Sequence, residues 1–273
     1  MRARRQPNPT TPALPRRAVF TLEDLTRTIA RPRAREAARE RVKYHVARGR
    51  LRVVSRGVYA TVPPGVDPRS YMPDRYLAAA AIREDAVFSH HAALELLGAA
   101  HSDWNVCTVF TERRRTPLAL GSVRILFLLE PPPFRARDHR GLGTREVERQ
   151  GVDLRVTGPE RTLLDGLRQP RFAGGLAELV ESVSGLGVLD LDLLERLLEA
   201  YGQRMLCAAA GWFLERFRDR FFVSDAYLAK LERQRPRSRQ YLPRGRRKGG
   251  VVASRWNLVL PGDVARAGEP GAA

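Results

Sequence analysis

Residues 21–62 read TLEDLTRTIARPRAREAARERVKYHVARGRLRVVSRGVYATV, and the fold of the N-terminal part is decided there. Thr21 and Asp24 have capping-box spacing, and Leu22, Leu25 and Ile29 fall at i, i+3 and i+7 on one stripe of a short amphipathic helix. Arg31-Pro32-Arg33 breaks it. A second helix is expected over 34–48, with Gly49 as its C-terminal cap. At about 100° per residue, Ala38, Val42, His45 and Val46 share the face that must pack on the first helix. Arg33, Glu36, Glu40, Tyr44 and Arg48, flanked by Arg41 and Lys43, take the opposite face. Leu51, Val53 and Val54 then form a short strand, 55–57 a turn and 58–62 a returning strand. Helix, turn, helix and hairpin in this order spell a winged helix-turn-helix, whose second helix enters a major groove and whose hairpin is the wing.

On that reading the candidate DNA-binding residues are Arg33, Arg35, Arg39, Arg41, Lys43, Tyr44 and Arg48 on the helix, with Arg50, Arg52 and Arg56 of the wing placed to reach phosphates. The competing reading of the segment is a solvated amphipathic helix pair. The order of helix, turn, helix, glycine and hairpin favours the DNA reading. The chain carries a formal +18, and its 48 basic residues are 45 Arg and 3 Lys, a bias that a GC-rich genome alone produces. The excess is nevertheless confined to two segments: residues 1–60 carry +12 and residues 230–255 carry +9, whereas 61–229 sum to −2. Local basic excess is the mark of a polyanion site, nucleic acid or membrane surface.

The length of 273 residues suggests two domains and excludes a small stapled scaffold. Cys107 and Cys207 stand 100 residues apart without a CxxC, so neither a disulfide framework nor a zinc ribbon is indicated and a reducing compartment fits. The longest apolar run, 205–214, is half of the ~20 residues a membrane span needs, and the Arg- and Pro-rich N-terminus lacks the apolar stretch of a signal peptide. A cytoplasmic protein with no membrane partner is expected.

The remainder reads as mixed α and β with a helical C-terminal half. A helix is expected over 76–83, and another over 89–98 that Ser89 caps and Gly98 closes, leaving one of His90 and His91 partly buried. Strands are expected at 104–110, 123–129 and 155–157. Thr157 and Glu160 have capping-box spacing at the head of a helix with Pro159 in its first turn, and Arg161 and Asp165 are spaced for an ion pair. Apolar spacing marks further helices at 176–183, 190–200, 205–217 and 225–232. A basic aperiodic loop follows over 236–250, with one strand element at 251–260. The fold class expected is α+β: a disordered basic arm (1–17), the winged helix domain (18–64), a larger mixed α/β domain (65–262) and a disordered tail (263–273).

No phosphate-loop, dinucleotide, serine-hydrolase or zinc-protease motif is present. His90 and His91 are helix neighbours about 100° apart and cannot face one metal together. A metal-dependent nuclease built around Asp165 is an alternative, but no strand carrying ExK accompanies it. No enzyme activity, cofactor or metal is therefore expected. The basic loop over 233–248 suits DNA, an acidic protein or plain solvation equally.

Phe20-Thr21 with Leu25, His45 through Leu51, Arg56 through Ala60, Ser89-His90 with Ala92-Ala93-Leu94 and Gly98, Pro159 through Asp165, and Trp256-Asn257-Leu258 together resemble the AbiEi-type antitoxins of bacterial abortive-infection toxin–antitoxin systems, over residues 18–262. The long basic arm and the loop at 233–248 depart from that pattern. The resemblance implies a two-domain autorepressor whose winged helix binds inverted repeats in its own promoter. Its larger domain would counteract a co-encoded nucleotidyltransferase-like toxin, with Ser89, His90, Arg161, Thr162, Asp165 and Trp256 as motif residues of structural character. A winged-helix regulator without a toxin partner, answering to a ligand of the central domain, is the remaining alternative.

Overall fold

A computed structural model describes residues 14–30, 32–245 and 250–266. Most of the arm expected at 1–17, the end of the basic loop and the tail from 267 lie outside the described residues. The chain divides into two units, residues 1–84 with 148–152, and 85–147 with 153–273.

The first unit runs β1 (Val19–Thr21), α1 (Leu22–Arg27), α2 (Ala34–Ala47), β2 (Leu51–Ser55), β3 (Val58–Thr61) and α3 (Arg75–Ile82). The expected capping box is formed: Thr21 Oγ1 accepts from the Asp24 amide at 3.0 Å, and Asp24 Oδ2 accepts from the Thr21 amide at 2.8 Å. Phe20, Leu25, Ile29, Ala38, Val42 and Leu51 make the core, full burial of each of the larger side chains stabilising by about 1.5–3 kcal/mol. His45 is buried with them and Val46 half-buried, the face the 3.6 period assigns to packing. Gly49, at φ +68°, turns the chain out of α2. The hairpin of β2 and β3 carries a bulge between Val53 and Ser55.

Two features depart from expectation. Residues 19–21 form a strand that pairs antiparallel with β3, giving a sheet of order β1-β3-β2 in which Phe20 stands opposite Tyr59. Three residues are too few to show a period of two. The boundary expected at 64/65 falls at 84/85, because α3 buries Tyr76, Leu77, Ala78 and Ala79 and packs on β1 and β3. Nor is the whole of 1–17 a free arm, since Leu14 lies against the core of this unit.

The second unit begins with β4 (Val87–Phe88), α4 (His90–Leu96), β5 (Val106–Thr111), β6 (Leu118–Leu120), β7 (Val123–Leu129), α5 (Pro132–Arg135), β8 (Thr144–Arg149) and β9 (Val152–Thr157). These strands form one mixed sheet of order β6-β7-β5-β4-β9-β8. β5 and β7 run parallel in register from Val106 opposite Arg124 to Thr111 opposite Leu129. α6 (Pro159–Arg168), α7 (Leu176–Ser184), α8 (Leu191–Tyr201), α9 (Arg204–Arg216) and α10 (Asp225–Arg233) follow. α9 is buried from Met205 to Leu214, so the longest apolar run is the central helix of a core.

A second sheet closes this unit, order β10-β12-β11, from β10 (Gln240–Tyr241), β11 (Val251–Ala253) and β12 (Leu258–Leu260), before α11 (Gly262–Arg266). The basic loop thus contains a strand and the buried Leu242, and the first residues of the expected tail are helical. β6, β8 and β10 were not legible, being short or polar edge strands. Neither expected N-cap forms as read. Ser89 sits at the N-cap of α4 without a side-chain cap bond, because its hydroxyl turns to His90 Nδ1 at 3.0 Å. At α6 the N-cap is Gly158; Thr157 Oγ1 instead meets Thr162 Oγ1 at 2.7 Å, and Glu160 Oε1 accepts from the Asp190 amide at 2.8 Å.

Candidate functional site

In the first unit the burial of one side of α2 sets what the other side shows. Arg33, Arg35, Arg39, Lys43, Tyr44 and Arg48 are exposed, interleaved with Glu36 and Glu40. Arg33 occupies the N-cap in the left-handed region at φ 59°. Arg48 stacks its guanidinium 4.6 Å from the centroid of the Tyr44 ring, whose edge meets His45. Among the described residues, Arg35, Arg39 and Lys43 form no ion pair, so their side chains keep long reach. Arg50 and Arg56 are exposed as well, Arg56 at the hairpin turn.

Two members of the expected set stand apart. Arg41 is half-buried at the flank of the helix. Arg52 is held to its own unit, with Nη1 donating to the Tyr71 carbonyl and, at 3.3 Å, to the Arg69 carbonyl. A guanidinium whose Nη1 meets two backbone acceptors braces the 67–71 loop.

The motif residues of the second unit are buried together. Arg161 is fully buried, donates to the Leu142 carbonyl at 3.1 Å and to Glu130 Oε1 at 2.8 Å, and lies 3.9 Å over the Phe134 ring. Its Nε stands 3.6 Å from Asp165 Oδ2, the ion pair that the four-residue spacing announces. Burial disfavours the guanidinium charge, but Asp165 and Glu130 outweigh it and push the pKa of Arg161 above its ordinary value. Tyr201 donates to Asp165 Oδ1 at 2.5 Å; burial, then the Asp165 charge, push its hydroxyl well above the ordinary tyrosine value. Thr162 Oγ1 also donates to the Thr157 carbonyl at 2.9 Å.

Both histidines of the pair are buried, not one. His90 takes φ +53°, with its ring between Phe110 and Phe172 at 5.4 Å from each. Burial, only partly opposed by Asp165, pulls its pKa down to about 4, so the ring is neutral. His91 Nε2 faces Glu178 Oε1 at 3.3 Å and Nδ1 faces Glu95 at 3.5 Å. Burial raises the pKa of Glu178, but hydrogen bonds from Ser102 and Ser182 outweigh it and hold the carboxyl below its usual range. Trp256 is buried with Nε1 donating to Glu215 Oε2 at 2.6 Å, and its six-membered ring covers Gly211.

This arrangement bears on the nuclease alternative. Asp165 is enclosed by Arg161, Arg168 and Tyr201, and a carboxylate between two guanidiniums is a poor ligand for a divalent cation. Among the described residues no group of three or more His, Cys, Asp or Glu side chains is placed to hold a metal ion. No described helix is long and apolar enough to cross a membrane. The sequence reading missed Glu130, Phe134 and Tyr201, the partners of the motif, because each lies at least 27 residues or a turn of fold away from it and carries no local pattern.

Comparison with known proteins agrees with the mixed architecture. The chain shares its fold with the crystal structure of the RV2827C protein from Mycobacterium tuberculosis at a TM-score of 0.59 and 21% identity, over 90% of this chain and 87% of that one. No curated protein matches the sequence. Residues 85–216 match the AbiEi antitoxin C-terminal domain, a segment that begins where the second unit begins and contains the buried motif from Ser89 to Asp165. Residues 85–216 of the chain thus carry the signature of an AbiEi antitoxin C-terminal domain.

Proposed function

We propose that the protein is a DNA-binding autorepressor and antitoxin that counteracts a co-encoded nucleotidyltransferase-like toxin. In this reading the first unit is a winged helix-turn-helix: α2 lies in the major groove of inverted repeats in the chain's own promoter, and the β2–β3 hairpin tracks the adjacent backbone. The observation that carries it is the solvent side of α2, where Arg35, Arg39, Lys43 and Arg48 stand exposed, interleaved with Glu36 and Glu40, on a helix whose Ala38, Val42 and His45 are buried. A helix held rigidly by one side and long-armed on the other fits a groove about 12 Å wide. Arg33, Arg50 and Arg56 supply phosphate contacts around it, and Tyr44, stiffened by Arg48, an additional contact on the same face.

The match of residues 85–216 to an antitoxin domain supports a toxin as the partner. The second unit acts there as a binding module, since its polar motif residues are spent on one another inside the core.

The test is a gel shift with the DNA upstream of the chain's own gene, paired with co-expression of the co-encoded toxin. The wild-type chain retards that fragment and rescues growth. An Arg39→Ala/Lys43→Ala variant loses the shift while still rescuing growth in trans. A wild-type chain that neither shifts the fragment nor rescues growth overturns the reading.

A further inference from the structure

The second unit has a cleft of about 480 Å³ where the carboxyl ends of the parallel strands β5 and β7 open, between the segment after β5, the Glu130–Pro132 turn after β7 and the C-terminal end of α6. Crevices at the carboxyl ends of parallel strands are where open α/β sheets take ligands. Five arginines line it: Arg114, Arg115, Arg135, Arg168 and Arg171. Glu130 is the one carboxylate among the lining residues, and Arg161, from within the core, already occupies its Oε1. The stretch that supplies the lining offers no such excess, since residues 61–229 are close to neutral. A local surplus of this size in a concave site calls for an anion of several charges.

The geometry also says what kind of anion. Arg171 lies 4.6 Å over the Phe172 ring and Arg115 5.7 Å over Phe127, so both guanidiniums are placed beside aromatic surface at the cleft. Planar guanidinium forks pair with phosphate oxygens two bonds at a time. Arg168 is one-fifth exposed, touches Asp165 at 3.5 Å, and has a buried Nε with no hydrogen-bond partner among the described residues. Pro131 and Pro132 add apolar wall against which a flat ring can lie. The volume is within the range of small-molecule sites.

We propose that this cleft binds a nucleoside triphosphate, with the arginines on the phosphates and the apolar wall on the base. The site lies wholly in the second unit and does not rest on DNA binding by the first. The experiment uses the full chain and a fluorescent N-methylanthraniloyl derivative of ATP, with unlabelled ATP, GTP, inorganic triphosphate and a short single-stranded RNA as competitors. Saturable one-site binding is expected, weakened at least tenfold in an Arg114→Gln/Arg171→Gln variant whose melting temperature is unchanged. An Arg233→Gln/Arg237→Gln variant, which removes the same charge from the other basic segment, is expected to bind as wild type. Absence of saturable binding, or equal loss in both variants, overturns the site. Competition by inorganic triphosphate or by the RNA as strong as that by ATP overturns the nucleoside triphosphate as its ligand.

Discussion

The Tyr201 hydroxyl donates to Asp165 Oδ1 at 2.5 Å, and the same buried carboxylate stands between Arg161 and Arg168 at 3.6 and 3.5 Å. Removing the carboxylate leaves the buried Arg161 with Glu130 as its one carboxylate partner and Arg168 close beside it. Asp165→Ala is expected to cost about 3–5 kcal/mol. Tyr201→Phe, which removes one donor and leaves the charges paired, is expected to cost about 1–3 kcal/mol. Trp104, Trp212 and Trp256 all lie in the second unit, so tryptophan fluorescence in urea follows its unfolding alone. A Tyr201→Phe cost larger than that of Asp165→Ala contradicts the assignment of the carboxylate as the hub.

Gly211 on α9 is required by contact rather than by backbone angle. A Cβ there stands 2.1 Å from Trp256 Cζ3, and the indole cannot withdraw while Nε1 is bonded to Glu215. Gly211→Ala is therefore expected to destabilise the second unit by about 1–3 kcal/mol although alanine is the better helix former. Gly187, where a Cβ meets nothing within 4 Å, is the control, and its replacement by alanine stays within about 0.5 kcal/mol. Equal effects at the two positions sink the packing explanation.

The neutral, buried His90 makes stability depend on pH. Its folded pKa of about 4 lies below the unfolded 6.5, so between these values the unfolded chain binds the extra proton. Its contribution is fully present above pH 6.5 and is lost as the pH falls toward 4, by up to about 3 kcal/mol. His90→Asn tolerates the left-handed backbone and removes the titration. The wild type should lose more stability than the variant between pH 7 and 4.5, measured by urea unfolding. Parallel pH profiles count against it.

The N-terminal elements were legible because each has a local signal: Thr21 and Asp24 for a cap, Pro32 for a break, Gly49 and Gly57 for turns, and a 3.6 period through Ala38 and Val42. β1 was hidden because its pairing with β3 is set by residues almost 40 positions away. α3 was found as a helix but assigned to the wrong unit, since which sheet a helix covers is not written in its own apolar stripe. The Arg161–Asp165 pair followed from spacing, whereas Glu130 and Tyr201 needed the tertiary fold. Arg52 looked like its neighbours in the basic run, and only the carbonyls of Arg69 and Tyr71 distinguish it. The arginine cleft combines residues from three separate segments and had no sequence signature.

Arg52→Lys offers a check on that distinction. If the side chain braces the 67–71 loop, the substitution lowers the melting temperature of the first unit and changes promoter affinity by less than Arg39→Ala does. The reverse order of effects returns Arg52 to the DNA contacts.

The decisive measurement is the salt dependence of binding to the promoter fragment. If about six phosphates are neutralised, log K falls with log salt at a slope of roughly −5, and removing Arg39 and Lys43 together reduces the slope to roughly −3. Arg196→Ala, on the exposed side of α8 in the second unit, leaves the slope unchanged. A slope near zero, or the same loss from Arg196 as from Arg39 and Lys43, contradicts DNA recognition by the exposed face of α2.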